Sequence, residues 1–298
     1  MKKTNRREFL QKSAAGFAGL AAISAGLKDY DFMAPAETID MIKLGNTGIN
    51  VPRVALGTGS GGWKNASNQT RLGMKGFVEL SQYAYDKGIR FFDTADMYGS
   101  HEYVREALKV MPRDKVSVLT KVMVYDQEGW YKKEPFQTSL DRFRIETGSE
   151  YFDIFLLHCM MQGGWSSEYR DYMDQVSRAK EKGILKTVGV SCHNFEAMEN
   201  AASNPWVDVL LARINNKGSK MDGTPEQVMK VLETARKNGK GVIGMKVFGM
   251  GDLIKEDQRE ASLQYVIKSG NVHCMTLGLE SREQVDDAVS RVMRIARS

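Results

Sequence analysis

The chain has 298 residues, 42% of them hydrophobic and 27% charged, which suits one large globular domain with a self-sufficient core. Its formal charge of +5 comes mostly from residues 1–36, where six Lys and Arg face three Asp and Glu; the remaining +2, without a basic cluster interleaved with aromatics, argues against nucleic-acid binding. Three cysteines form neither a disulfide framework nor a CxxC pattern, and four scattered histidines lack zinc-type spacing, so no metal site is expected.

The amino terminus reads Lys2-Lys3-Thr4-Asn5-Arg6-Arg7-Glu8-Phe9-Leu10, followed by a weakly hydrophobic, Gly- and Ala-rich run from Ser13 to Leu27. Paired arginines, then Phe-Leu, then a modest apolar segment resemble a twin-arginine export signal. The run is shorter than the roughly 20 residues that span a bilayer, so no stable membrane span is expected. Ala34-Pro35-Ala36 offers a cleavage site. The chain then divides into a signal over 1–36 and one domain over 37–298, with the twin-arginine machinery as a partner and a periplasmic or other extracytoplasmic destination. A basic amphipathic tail on a cytosolic protein is the competing reading.

Met41–Leu44 and Ile49–Pro52 flank Gly45-Asn46-Thr47-Gly48, a hairpin signature. Eight short apolar runs follow, at 54–57, 90–93, 116–120, 154–157, 187–190, 207–211, 241–245 and 274–277. Continuous apolarity suits strands covered on both faces of a parallel sheet. Amphipathic helical stretches alternate with them, closing on Lys87-Gly88, Lys182-Gly183 and Asn238-Gly239. Eight β-then-α units predict an α/β fold, a (β/α)8 TIM barrel, with a doubly wound sheet as the alternative. No GxGxxG follows the first strand, and Gly57-Thr58-Gly59-Ser60-Gly61-Gly62 reads as a flexible active-site loop rather than a phosphate loop.

The carboxyl ends of consecutive strands carry Asp93 (with Tyr98 on its loop), Lys121, His158 and Ser191. Singly, these residues read as a turn cap, a solvated lysine, a core histidine and a helix cap. At one end of one barrel they converge, and a buried lysine needs an acid beside it. The set suits carbonyl reduction. Tyr98 donates a proton, Lys121 lowers its pKa, Asp93 orients Lys121, and His158 hydrogen-bonds the carbonyl oxygen.

The motifs Lys43-Leu44-Gly45-Asn46-Thr47-Gly48, Asp93-Thr94-Ala95-x-x-Tyr98-Gly99, Thr120-Lys121, Leu156-Leu157-His158 and Val188-Gly189-Val190-Ser191 together resemble the aldo-keto reductase family, roughly from Met41 to Val289. The resemblance implies an Asp93/Tyr98/Lys121/His158 tetrad and a hairpin closing the bottom of the barrel. It also implies a nicotinamide cofactor across the mouth, NADP by default with NAD the alternative. Ser191 matches the serine that holds the carboxamide. Arg213 stands where a glutamine is common, Met245 where an aromatic stacks on the nicotinamide, and Lys246 where serine is frequent. The segment Gly278–Gln284 resembles the adenosine-phosphate region. Ser281 lies within it, Gln284 lines up with the usual 2′-phosphate cation, and Arg282 sits two positions earlier.

Trp63, Trp130 and Trp165 follow three strands on the same face and read as an aromatic-lined pocket for a carbonyl or alcohol substrate, a sugar or an aromatic ring. His101 and Tyr125 are further candidates to reach into it. Three functions stay open at this point: a hydride-transferring oxidoreductase, a non-catalytic dinucleotide-binding or redox-sensing barrel, and an enzyme that never releases its cofactor.

Overall fold

Strands buried on both faces must be covered inside and out, and a closed barrel wrapped in helices achieves this. The computed structural model describes residues 38–298; the expected export signal and cleavage site fall outside the described residues. Strands β1 (Met41–Lys43) and β2 (Asn50–Pro52) pair antiparallel as the expected hairpin. The barrel strands are β3 (Val54–Gly57), β4 (Phe91–Asp93), β5 (Ser117–Met123), β6 (Phe152–Met160), β7 (Leu185–Cys192), β8 (Val209–Arg213), β9 (Gly241–Met245) and β10 (Cys274–Leu277). Each is parallel to its sequence neighbour, and β10 closes on β3. A helix follows every barrel strand: Gly73–Asp86, His101–Leu108, Phe136–Thr147, Arg170–Glu181, Phe195–Ser203, Pro225–Lys237, Glu256–Lys268 and Arg282–Arg297. Two of them end on Gly183 and Gly239, whose φ of 74° and 77° is the left-handed cap the Lys-Gly and Asn-Gly pairs predict. Among the described residues no helix is long and apolar enough to cross a membrane.

The barrel interior is one apolar cluster that includes Ala55, Phe91, Leu119, Leu156, Leu211, Ile243 and Cys274, joined by Leu44 and Val51 of the hairpin. Those two fully buried side chains floor the barrel. Each contributes about 1.5–3 kcal/mol by the usual burial scale. The turn presses so closely on the barrel that a Cβ at Gly45 would collide with the backbone of Gly239–Gly241.

Side chains alternate along a strand, so the residue two places past each interior one also points inward, at the carboxyl end. That rule sets Gly57, Asp93, Lys121, His158, Arg213, Met245 and Thr276 in one ring. Val188 and Val190 of β7 belong to the outer cluster, which turns Ser191 inward to complete the ring. Here the structure corrects the expected strand ends. Lys121, His158 and Ser191 lie within β5, β6 and β7, because an inward polar side chain leaves the backbone ladder intact; Lys121 pairs with Leu156, and Met123 with His158. The β6–β7 register is regular to Leu157↔Val190 and resumes at Met160↔Cys192, so three steps along β6 match two along β7. Cys159 carries the irregularity at φ 61°. A bulge of this kind redirects a strand beside a functional site.

Candidate active site

Asp93 and Lys121 are both buried, Lys121 at 1% exposure, and the Lys121 ammonium ion-pairs with Asp93 Oδ1. Lys121 Nζ also donates to the Thr94 carbonyl at 2.9 Å and to the Tyr98 hydroxyl at 3.5 Å. Tyr98 ends a one-turn 3₁₀ helix, Asp96–Tyr98, between β4 and helix His101–Leu108. Its ring lies against the first loop, where a Cβ on Gly59 or Gly62 would collide with it. The Gly-rich loop is thus a close-packed wall for Tyr98, a role that the reading of it as a flexible loop missed. The only sequence signal was the density of glycines.

Burial first, then the Asp93 carboxylate and Cys159, raises the Tyr98 phenol well above its ordinary pKa near 10. This reverses the expected lowering by Lys121. The ammonium charge is neutralised by its contact with Asp93, so desolvation of the phenolate prevails. His158 stands edge-on to Tyr98, ring centroids 5.6 Å apart, and its Nδ1 is buried without a protein partner. Burial, with Lys121, His193 and Lys246 nearby, lowers its pKa well below 6.5, so the imidazole is neutral. Ser191 Oγ accepts the Cys159 N–H at 2.8 Å, which ties the bulge to β7. Cys159, Cys192 and Cys274 are free thiols.

From Asp93 and Tyr98 a groove of about 850 Å³ runs past Met245 and Lys246 to Gly278, Glu280, Glu283 and Gln284. Lys246 adopts φ 55°, and burial, then Arg213, lowers its ammonium to about 8. Arg213 is in the ring but pairs with Asp222 at 3.2 Å and does not line the groove. At the far end Ser281 caps helix Arg282–Arg297 by accepting the Gln284 N–H, and Gln284 Oε1 accepts the Glu280 N–H at 2.7 Å. Arg282 lies outside the groove lining, its guanidinium 5.2 Å from the centre of the Tyr83 ring.

The tryptophans divide. Trp63, 47% exposed, and the half-buried Trp130 meet with ring centroids 4.6 Å apart. Trp165 is fully buried, and its indole N–H donates to the Ala197 carbonyl at 3.1 Å. It belongs to the core, because the short helix Trp165–Glu168 turns its first residue inward. His101 also stays out of the mouth, held between Glu146 and Thr120, while the Tyr125 hydroxyl donates to the Cys159 carbonyl.

Residues 54–295 match the family model described as aldo/keto reductase family. The chain belongs to the aldo-keto reductase family. An aldo-keto reductase of Mycobacterium sp. (strain MCS) is 28% identical over 157 residues, covering 52% of this chain and 50% of that protein. The L-galactose dehydrogenase of Arabidopsis thaliana is 24% identical over 253 residues, covering 80% and 76%. The matched stretch spans about half the length of several curated relatives in the family. A crystal structure of an aldo-keto reductase from Bombyx mori in complex with NADP superposes with a TM-score of 0.62 at 17% identity, over 88% of this chain and 93% of that one. At that identity the likeness extends to the fold.

Proposed function

We propose that this chain is an NAD(P)-dependent oxidoreductase that interconverts a carbonyl compound and its alcohol, with Tyr98 as the proton donor. The observation that carries the reading is the buried Asp93–Lys121 pair set against the Tyr98 hydroxyl at the inner end of the groove. A nicotinamide dinucleotide, when bound, supplies or takes up the hydride. The groove suits it. Glycines 57, 59 and 278 keep its walls low, and its length joins Asp93 and Tyr98 to the first turn of helix Arg282–Arg297. Ser191 and Met245 would hold the ring end, Lys246 the phosphates, and Gly278, Ser281 and Gln284 the adenosine end. NADP is assigned by likeness to the Bombyx mori complex, with NAD as the alternative because Glu280 and Glu283 line that end.

In the direction of reduction, Tyr98 is a neutral phenol that donates its proton to the substrate oxygen. Lys121 Nζ stabilises the phenolate left behind, and Asp93 keeps that ammonium charged and oriented. Neutral His158 donates one N–H to the same oxygen and positions it. Trp63 and Trp130 form the apolar lip against which a ring or sugar packs. The test is reduction of a carbonyl panel with Tyr98→Phe as control; full activity of that variant sinks the mechanism.

The Arg6-Arg7-x-Phe9-Leu10 motif supports export by the twin-arginine route to the periplasm. Arg6→Lys with Arg7→Lys should keep the protein in the cytoplasm. Fractionation of the double variant with the exported pool would refute this.

A further inference from the structure

Behind the tyrosine turn lies a second set of charges, a buried acid held by half-buried partners, that the tetrad does not include. Asp96 opens the turn that ends in Tyr98 and is 8% exposed. Both of its carboxylate oxygens are held by one guanidinium. Arg142 Nη1 donates to Oδ1 at 2.7 Å and Nη2 to Oδ2 at 2.9 Å. Arg142 comes from the middle of helix Phe136–Thr147, 46 residues away in sequence. It is itself fixed by Glu134, which accepts from Nε at 3.1 Å and Nη2 at 2.9 Å, and by Glu146, which accepts from Nη1 at 3.1 Å. Glu146 continues to His101 Nδ1 at 2.7 Å, and His101 Nε2 meets Thr120 Oγ1 at 2.8 Å. Thr120 precedes Lys121 on β5. The chain of contacts therefore starts on the turn that carries Tyr98 and ends beside Lys121.

Asp96, His101 and Glu146 also bring possible ligand atoms within 4.8 Å of one another. Arg142 already bridges the two acids, so an added cation would meet a guanidinium there. The cluster works as a clamp and not as a metal site. The forked geometry matters because a bidentate pair restricts orientation as well as distance, and a single-point cation does not.

We propose that Arg142 is a positioning residue for the proton transfer: by gripping Asp96 it fixes the Asp96–Tyr98 turn and keeps the phenol oxygen in reach of Lys121. The proposal rests on the reading of Tyr98 as proton donor. Three other contacts of that turn define what Arg142 adds. The Tyr98 N–H bonds the Ala95 carbonyl, the Met97 carbonyl accepts from Asn65, and the ring rests on Gly59 and Gly62. These set the turn's backbone and one face of the ring, while the carboxylate of Asp96 ties the turn to helix Phe136–Thr147.

Two conservative variants test it. Arg142→Lys keeps the charge and loses the fork, and Asp96→Asn keeps one acceptor and loses the ion pair. Each is assayed below its unfolding transition, next to Tyr98→Phe. A displacement of the donor by about 1 Å costs on the order of 100-fold, so kcat should fall by about that factor. Substrate KM and dinucleotide affinity, read by NAD(P)H fluorescence, should stay within about twofold, because Asp96, Arg142, Glu134 and Glu146 do not line the groove. The solvent deuterium effect on kcat should rise as proton transfer becomes limiting. A variant that unfolds earlier but keeps kcat and its isotope effect while folded would overturn the proposal and leave Arg142 as a stabilising contact. Should Arg142→Lys not fold, Asp96→Asn carries the same comparison. If Tyr98→Phe itself keeps full activity, it is the proton-donor reading that fails, and the two failures are thus told apart.

Discussion

Replacing Lys121 by Met removes the cation from a pair in which both partners are buried. The Asp93 carboxylate is then left without its cation above the apolar layer that holds Phe91, and the Thr94 carbonyl loses the 2.9 Å donor it had. Breaking a buried pair from one side costs about 3–5 kcal/mol, far above the 0–1 kcal/mol of an exposed pair. Lys121→Met should therefore lower the unfolding free energy by about 3–5 kcal/mol. Asp93→Asn should cost less, since the amide still offers Lys121 an oxygen. The double variant should be less damaging than the sum of the two, because removing both charges leaves none stranded. Urea unfolding followed by circular dichroism measures all three. Single costs below about 1 kcal/mol that simply add would show that water reaches the pair, and the argument for a desolvated Lys121 would be wrong.

Three further outcomes follow from the same structure. Lys246 sits in the groove with its ammonium lowered to about 8, chiefly by burial. A phosphate beside it favours the charged form, so dinucleotide binding should take up protons near pH 8 and weaken above it, and Lys246→Met should remove that dependence; titration calorimetry in buffers of different ionisation enthalpy reads this directly. Trp165→Ala should cost about 3–5 kcal/mol of stability with substrate KM unchanged. Trp63→Ala, at a half-exposed position, should leave stability within about 0.5 kcal/mol and raise KM.

The barrel was legible because its strands are covered on both sides, which makes them continuous apolar runs, and because Gly183 and Gly239 punctuate the helices. The convergence of Lys121 and His158 with Asp93 was legible for a related reason, since they stand towards the carboxyl ends of mostly apolar runs. Their exact place was not. Polar side chains suggested strand ends, whereas the backbone ladders run on to Met123 and Met160. Trp165 and Trp63 follow strands in the same way in the sequence, and only the local helix turns one inward and leaves the other on the lip. The lowering of the Tyr98 pKa was wrong because it weighed one neighbour, Lys121, whereas the phenol responds first to lost water and then to Asp93 and Cys159. Arg142 gave no signal at all. In sequence it is one charge on a mid-chain helix, and its meaning comes from Asp96, which only the folded chain brings to it.

In the proposed reaction Tyr98 gives its proton to a carbonyl oxygen under the Asp93–Lys121 pair. Turnover of NAD(P)H with a panel of aldehydes, ketones and sugars, compared for the parent protein and Tyr98→Phe, tests it most directly. General-acid catalysis is worth about 100- to 10,000-fold, so kcat should drop by that range while NAD(P)H still binds with unchanged affinity. Equal turnover in the two proteins, or dinucleotide binding with no turnover of any substrate by the parent, would contradict it.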